Sequence, residues 1–198
     1  LAALGAAAAL TMAACGSAPS DSGSSASPAA SGSSDFLACM VSDAGGIDDR
    51  SFNASAYKGV QDAVAEFGIT DKFLESKSQT DYAPNINSLV NDDCGIIITV
   101  GFLMEDATKE AATQNPEEKF AIVDAASDPA IDNMKGLVFN TAQSSFLAGY
   151  LAAGMSETGK VATYGGLAIP SVTSFMDGYW EGVQYYNTEN GTNVEVLG

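Results

Sequence analysis

The stretch SDAGGIDDRSFN, residues 42 to 53, concentrates side chains that could bind a small molecule. Carboxylate and amide groups take hydrogen bonds from ring nitrogens and hydroxyls, and an asparagine can also donate. Adjacent glycines allow backbone N–H groups to come close to a ligand, and a phenylalanine ring can stack on a flat ring. Together these residue types predict a site for a neutral, polar ligand that has an aromatic face.

Each of these residues also has a structural interpretation that needs no ligand. Gly45 and Gly46 could form a plain turn, and Phe52 could be a core residue on the first turn of a helix. Asp48 and Asp49 could cap that helix and complement its dipole, a role that we expect for at least one of them. The sequence leaves both interpretations open.

The elements that would position these residues alternate between apolar strands and amphipathic helices from Phe36 onward. FLACMVS and CGIIITVG are typical of buried strands, and a helical apolar spacing runs from Phe52 to Phe67, with Gly68 where that helix would stop. KFLES, KFAIVDA and GLVFN complete the strands, Pro84 would begin a second helix, and LMEDATKEAATQ a third. This alternation predicts an α/β fold with a parallel sheet covered by helices on both faces.

The pattern restarts after Asn140, which predicts two domains. Residues 36–140 would form a complete first α/β domain, and residues 141–198 the start of a second one. In the second part, SSFLAGYLAAGMS and VTSFMDGYWEGVQYYNTEN have the character of helices, and KVATYGG and VEVLG that of strands. We therefore expect the second domain to be truncated.

Ligands of open parallel sheets bind at the carboxyl ends of the strands, where loops lead into helices. The acidic stretch sits at such an end, as do GFLMEDA, DAASDPA and GGLAIPSVTSFMDG. For the phenylalanines of these segments, a core position is the alternative interpretation. The residues predicted to surround one cleft are Asp43, Asp48, Asp49, Phe52, Asn53, Phe102, Asp124, Asp128 and Phe175.

A formal net charge of −17, from 25 acidic and 8 basic residues, excludes several classes of function. An acidic surface repels phosphate backbones and anionic lipid headgroups, so no nucleic-acid partner is expected. The sequence has no histidine, which removes Ser-His-Asp and Cys-His catalysis and argues against a transition-metal site. We therefore expect no metal and no cofactor.

The first fourteen residues, LAALGAAAALTMAA, are uncharged and apolar or small, and Cys15 follows them. The run is too short to span a bilayer, and it predicts an incomplete signal peptide over residues 1–14. Residues 15–35 are mostly Ser, Ala, Gly and Pro, the composition of a flexible tether. A lipid on Cys15 would anchor the protein to the extracytoplasmic face of the bacterial cell membrane. An ordinary cleavage site that contains a cysteine is the alternative.

Cys39 and Cys94 lie at or beside the first and third predicted strands, which are neighbours in the common strand order 2-1-3-4-5. A disulfide between them suits an extracytoplasmic protein. However, Cys39 sits in mid-strand and Cys94 at a strand start, and Cα atoms more than about 7 Å apart cannot be bridged without backbone movement. A disulfide and two buried free thiols both remain open.

Five segments occur in a characteristic order along the chain: MVSDAGGIDDRSFNASAYKGV, ITVGFL, FAIVDA, SSFLAGYLAAG and IPSVTSFMDGYWEGVQYYN. Together they resemble the basic membrane protein (BMP) family of ABC-transporter substrate-binding lipoproteins, the PnrA-like purine nucleoside receptors. The resemblance implies a two-lobed fold of periplasmic-binding-protein type, class I, that clamps its ligand between the lobes.

The resemblance also implies roles for individual residues. Two phenylalanines would stack on the faces of the base, three polar residues would hydrogen-bond it, and a further phenylalanine would belong to the cleft wall beside Gly101. The family's ribose-binding aspartate and lysine belong to the distal lobe, and no segment of this sequence corresponds to them. The matching residues are Phe52 and Phe175 for the stack, Asp43, Asn53 and Asp124 for the hydrogen bonds, and Phe102 for the wall.

These expectations lead to a non-enzymatic function, in which two lobes close around a purine or other nucleoside and deliver it to an ABC permease in the membrane. A nucleoside hydrolase is one alternative, because clustered aspartates can hold a divalent cation that activates water. A ligand sensor or a sugar-binding receptor of the same fold is another.

Overall fold

A computed structural model describes residues 35–198 of the chain. The predicted signal peptide, the predicted lipid anchor at Cys15 and the tether up to residue 34 lie outside the described residues. None of the helices in residues 35–198 combines the length and the apolar character that a membrane span requires.

A five-stranded parallel sheet occupies the first part of the described chain, in the order β2-β1-β3-β4-β5 that the sequence predicts. The β-branched run IIITV is the central strand β3, where pairing on both edges and helices on both faces favour uncharged residues. The strand bounds are Leu37–Ser42 for β1, Thr70–Glu75 for β2, Ile96–Val100 for β3, Phe120–Val123 for β4 and Met134–Leu137 for β5.

Three helices cover this sheet. The first, α1, spans Phe52–Phe67 and ends at Gly68, whose φ of 66° lets its N–H donate to the carbonyl of Val64. The second and third are α2, Tyr82–Val90, and α3, Glu105–Gln114. The predicted stop of α1 at Gly68 is therefore confirmed.

The start of α2 differs from the predicted one. The helix begins at Tyr82 rather than at Pro84. A short 3-10 turn, Gln79–Asp81, precedes it, and the side chains of Ser78 and Asp81 form a capping box around that turn. Because this cap lies upstream of Pro84, the proline falls inside the first turn instead of opening it.

The position of β5 also differs from the predicted GLVFN, residues 136–140. The strand is Met134–Leu137, because its register with β4 begins where the N–H of Phe120 donates to the carbonyl of Asn133 at 2.8 Å. Residues 138–140 therefore do not belong to the sheet but connect it to the next helix.

Alternate side chains of β1 enter two different layers of the core, as the two-residue period of a strand requires. Cys39 and Val41 pack in a cluster with residues of α2 and α3, and Ala38 and Met40 pack with residues of α1. All four side chains are buried. The sheet is thus covered on both faces, as predicted for an α/β fold.

Cys39 and Cys94 are joined by a disulfide, with their Cα atoms 5.9 Å apart. The separation falls within the range that a disulfide spans. The bridge is reached because the chain enters β3 alongside β1, where the N–H of Gly95 donates to the carbonyl of Leu37 at 2.8 Å. Of the two interpretations that the sequence leaves open, the structure has the disulfide.

The second part of the chain has two helices and a separate two-stranded parallel sheet. Its elements are α4, Thr141–Met155; β6, Lys160–Ala162; α5, Pro170–Asn190; and β7, Glu195–Leu197. The predicted helices and strands of this part are all present. The division into domains at residue 140 stays a prediction.

The helices α4 and α5 approach each other closely through glycines. A Cβ at Gly149 would overlap the backbone carbonyl of Tyr179, and a Cβ at Gly182 would overlap the carbonyl of Phe146. Gly178 meets the α4 backbone in the same way. Because only a hydrogen atom fits at these positions, the glycines set the distance between the two helices.

Candidate functional site

The candidate site lies at the carboxyl ends of β1, β3 and β4, around a cavity of about 240 Å³. The parallel register brings these strand ends, and the residues that follow them, to one edge of the sheet. The start of α5 adds wall residues, among them Ser171 and Val172. The predicted ligand-binding residues that line the cavity are Asp43, Phe52, Asn53, Phe102 and Asp124.

Asp43, the first residue after β1, is held by its own loop and by α1. Its Oδ1 accepts hydrogen bonds from the backbone N–H of Gly45 at 2.9 Å and from Asn53 Nδ2 at 2.8 Å. Gly101 comes so close that a Cβ there would lie 2.8 Å from Asp43 Oδ2, and its φ of 108° is readily adopted only by glycine. Within residues 35–198 no hydrogen bond uses Oδ2, so this oxygen can accept one from a ligand.

Asn53 is a buried polar residue of the cavity wall, with 2% of its surface exposed. While its Nδ2 donates to Asp43, its Oδ1 has no hydrogen-bond partner in the part of the chain that the structure describes. A buried, unpaired polar atom costs about 1–3 kcal/mol. A ligand N–H or O–H group that reached this oxygen would remove that cost.

Asp49 caps α1. Its Oδ1 accepts hydrogen bonds from the N–H groups of Ser51 at 2.8 Å and Ala54 at 3.0 Å, and its Oδ2 accepts one from the N–H of Asn53 at 2.8 Å. Burial acts to raise the pKa of Asp49, but these hydrogen bonds outweigh it and hold the pKa below its usual 3.8. The predicted capping role is thus confirmed for Asp49, whereas Asp48 is exposed.

Replacing Asp49 with alanine is expected to lower the free energy of unfolding by about 1–2 kcal/mol, because two N–H groups of the first helical turn, and that of Ser51 just before it, lose their acceptor. Asp48→Ala is the matched control, since it removes a neighbouring, exposed carboxylate and should change stability by less than about 0.5 kcal/mol. Urea unfolding measures both. Equal losses in the two variants would contradict the capping role.

The same carboxylate makes stability depend on pH. Because the folded pKa of Asp49 lies below the 3.8 of an ordinary aspartate, its contribution is complete above 3.8 and disappears as the pH falls through the folded value. The stability difference between the wild type and Asp49→Ala should therefore shrink in acid. A difference that stays constant with pH would assign the loss to something other than the charge.

Asp124 follows β4 with a φ of 67°, an uncommon backbone conformation for a residue other than glycine. Its N–H donates to the carbonyl of Leu137 at 2.9 Å, which holds the residue at the sheet edge. Burial raises the pKa of Asp124, and the side chain of Ser171 offsets this only in part. Asp124 therefore presents a partly desolvated carboxyl group to the cavity.

The aromatic residues predicted for the cleft do not all lie together. Phe52, 39% exposed at the start of α1, lines the cavity, and so does Phe102, which follows Gly101. Phe175, also 39% exposed, lies on α5 about one turn beyond Ser171 and is not among the residues that line the cavity. Its role in stacking stays a prediction. Two other residues of the predicted cleft, Asp48 and Asp128, are likewise not among the lining residues.

Sequence reasoning brought the segment at the start of α5 to the cleft but did not single out Ser171 and Val172, and it missed Phe139 between β5 and α4 beside the cavity. Pro170, which begins α5, could have indicated that Ser171 and Val172 reach the cleft, because proline favours the first helical position. Phe139 lines two neighbouring cavities, but the sequence pattern assigned it to a strand. No local signal distinguishes it from a strand residue.

Within residues 35–198, no three His, Cys, Asp or Glu side chains are grouped so that they could hold a metal ion. Two carboxylates of the acidic loop bind groups of the protein itself through at least one oxygen. Asp49 binds N–H groups of α1, and Asp43 binds Gly45 and Asn53.

The fold is of the periplasmic-binding-protein type. The crystal structure of an ABC transporter solute-binding protein from Aeropyrum pernix superposes with a TM-score of 0.74 at 29% identity, over 81% of this chain and 46% of that one. A sugar-binding protein of a sugar ABC transporter from Bacillus halodurans gives a TM-score of 0.63 at 15% identity, over 81% and 54% of the two chains. The second likeness shows the fold alone.

The sequence narrows this class to one family. The profile of the Bmp family, described as ABC transporter substrate-binding protein PnrA-like, matches residues 36–198. The chain therefore belongs to the Bmp family of ABC transporter substrate-binding proteins. The resemblance drawn from five sequence segments is confirmed.

Two relatives illustrate the membership. Basic membrane protein A of Borreliella burgdorferi is 35% identical over 156 residues, which cover 78% of this chain and 46% of the relative. The ABC transporter nucleoside-binding protein BmpA of Lactococcus lactis is 32% identical over 168 residues, which cover 83% of this chain and 48% of the relative. The chain thus spans about half the length of the curated relatives it matches.

Proposed function

We propose that the protein binds a purine nucleoside, or another nucleoside, in the cavity at the carboxyl ends of β1, β3 and β4. The observation that carries the proposal is the pairing of two free hydrogen-bond acceptors with an exposed aromatic ring. Asp43 Oδ2 and Asn53 Oδ1 are unengaged within the described residues, and Phe52 lines the same cavity.

These groups suit the edge and the face of a nucleobase. Ring N–H and exocyclic amino groups are donors that a carboxylate and an amide oxygen accept. The face of the base stacks on a phenylalanine, and stacking of this kind contributes about 1–3 kcal/mol per base. Asp124 adds a third acceptor when its carboxyl group is ionised. The relative from Lactococcus lactis, which is named a nucleoside-binding protein, supports the same class of ligand.

The proposal includes a place of action. The bound nucleoside would be delivered to an ABC permease, and the protein would remain at the extracytoplasmic face of the cell membrane through a lipid on Cys15. The disulfide between Cys39 and Cys94 supports an oxidising compartment of this kind. In a two-lobed protein of this fold, ligand affinity for the closed form would drive closure.

Isothermal titration of the protein against inosine, guanosine, adenosine and ribose tests the ligand class. We expect binding of at least one nucleoside and much weaker binding of ribose, because ribose alone has no flat ring to stack on Phe52. Tight binding of a sugar or an amino acid, without binding of any nucleoside, would refute the proposal.

Replacing Phe52 with alanine is expected to reduce nucleoside affinity by about 1–3 kcal/mol through loss of stacking. The matched control is Phe67→Ala at the other end of α1, where a phenylalanine is 58% exposed and does not line the cavity. Titration calorimetry gives the affinities and thermal unfolding gives the stabilities. Unchanged affinity with a large loss of stability in Phe52→Ala would show that this side chain packs in the core and does not contact the ligand.

Phe175→Ala tests the predicted stacking pair directly. Phe175 has the same exposed fraction as Phe52, 39%, so truncation removes similar exposed surface at the two positions. A loss of affinity as large as that of Phe52→Ala would establish the pair. Retained affinity would leave Phe52 as the stacking residue without Phe175.

A further inference from the structure

Phe139 is an aromatic residue of the cleft region to which the sequence pattern gives no role in binding. It lies on the connection between β5 and α4 and is 60% exposed. An exposed phenylalanine by itself is ordinary, since much of every protein surface is apolar. Phe139 differs from the exposed Phe36, Phe67 and Phe175 in that it lines cavities beside the candidate site.

Two cavities that border the candidate site include Phe139 in their walls. The first, of about 450 Å³, is lined by Phe52, Phe139 and Thr141 among others, and thus shares Phe52 with the candidate site. The second, of about 220 Å³, is lined by Phe102, Asp124 and Phe139 among others, and shares Phe102 and Asp124 with the site. The three cavities therefore share wall residues, and Phe139 lines both of the cavities beside the site.

The backbone around Phe139 is held in place. Asn140, the next residue, caps α4 by accepting a hydrogen bond from the N–H of Gln143. The following residue, Thr141, shares a hydrogen bond of 3.0 Å with the hydroxyl of Ser174 on α5. Phe139 is thus fixed immediately before two anchored residues.

Phe139 precedes the N-cap residue Asn140, but it does not make the packing contact with its helix that is common at this position. A hydrophobic residue just before a helix cap commonly packs against the fourth residue of the helix. In α4 that fourth residue is Ser144, which is polar and exposed. The ring of Phe139 therefore lacks the helix contact that would explain it locally.

We propose that Phe139 is a further ligand-contacting residue, which covers apolar ring surface of the bound nucleoside in the space that it shares with Phe52. The inference rests on the proposed function, because it requires a ligand with a flat ring in this cleft. It adds a contact on the segment that leads from the first sheet to α4, whereas Asp43, Phe52 and Asn53 all belong to the acidic loop and α1.

Titration of inosine and guanosine against Phe139→Ala, Phe139→Tyr, Phe52→Ala and Phe67→Ala tests this contact. We expect at least about a fivefold loss of affinity in Phe139→Ala, the lower end of an aromatic stacking contribution, and near wild-type affinity in Phe139→Tyr, which keeps the ring. Phe67→Ala is the control, since Phe67 is 58% exposed and lies at the far end of α1. It should bind within twofold of the wild type.

The outcomes separate this inference from the proposed function. If the wild type binds a nucleoside and Phe52→Ala binds it more weakly, but Phe139→Ala matches the Phe67→Ala control, the contact is refuted and the proposed function stands. A lowered melting temperature with unchanged affinity in Phe139→Ala also refutes the contact and assigns the ring to packing. If the wild type binds no nucleoside, the proposed function is overturned and the contact with it.

Discussion

Replacing both Cys39 and Cys94 with alanine is expected to lower the free energy of unfolding by about 4 kcal/mol. The bridge joins residues 55 apart in sequence, and a cross-link of that span removes a large part of the conformational freedom of the unfolded chain. Both cysteines are buried, with 0% and 4% of their surfaces exposed, so the substitutions should leave the protein surface nearly unchanged. Equilibrium unfolding in urea, followed by circular dichroism, measures the loss.

A count of reactive thiols checks that Cys39 and Cys94 form a disulfide in the protein that is measured. The sequence has three cysteines, and Cys15→Ala removes the one outside the bridge from the count. This variant, unfolded without a reductant, should show no reactive thiol, and two after reduction. Two thiols before reduction, or a stability loss below about 1 kcal/mol in the double variant, would contradict a stabilising disulfide.

Replacing Gly182 with alanine is expected to lower the free energy of unfolding by about 3 kcal/mol, although alanine is the better helix former. The added methyl group would overlap the backbone carbonyl of Phe146, and a backbone atom cannot rotate away as a side chain can. The helices α4 and α5 would have to move apart, which would also loosen the contacts around Gly149 and Gly178. Thermal or urea unfolding measures the change.

Gly59→Ala is the matched control for this change. Gly59 is also a helical glycine, in α1, but a Cβ there would meet no atom within 4 Å. The same substitution should therefore raise stability by about 0.5–1 kcal/mol, because alanine restricts the unfolded chain and favours the helix. The two variants are expected to change stability in opposite directions. A stabilised Gly182→Ala would show that the close helix contact is not required.

The sheet and most of the helices could be predicted from the sequence because their signals are local. Uncharged β-branched runs such as IIITV are typical of strands covered on both faces of a parallel sheet, and Gly68 supplies the left-handed conformation that ends α1. The strand order followed from the alternation of strands and helices together with the common order for such folds. The sequence signals for these elements lie in consecutive residues.

The features that could not be predicted depend on contacts between distant parts of the chain. The start of β5 is set by its pairing with β4, which no pattern within residues 134–140 records. The bridge between Cys39 and Cys94 depends on the register of β1 against β3, and the close approach of α4 to α5 depends on glycines from two helices meeting.

The candidate site was predictable to the extent that it is local. Asp43, Phe52 and Asn53 lie within eleven residues of each other, at a strand end and a helix start that the sequence marks clearly. Ser171 and Phe139 come from segments that reach the cleft region only through the tertiary fold. Phe175 shows the limit of the approach, because its neighbours on α5 reach the cavity wall while Phe175 itself is not part of it.

The hydrogen bond between Asp43 and Asn53 has a consequence for the proposed binding of a nucleoside. Since the two side chains already fix each other at 2.8 Å, neither must search among rotamers when a ligand arrives. The conformational entropy of these two side chains is lost when the chain folds, so less of it is lost when a ligand binds. The polar edge of the cleft is thus preorganised for the ligand that we propose, which favours its affinity.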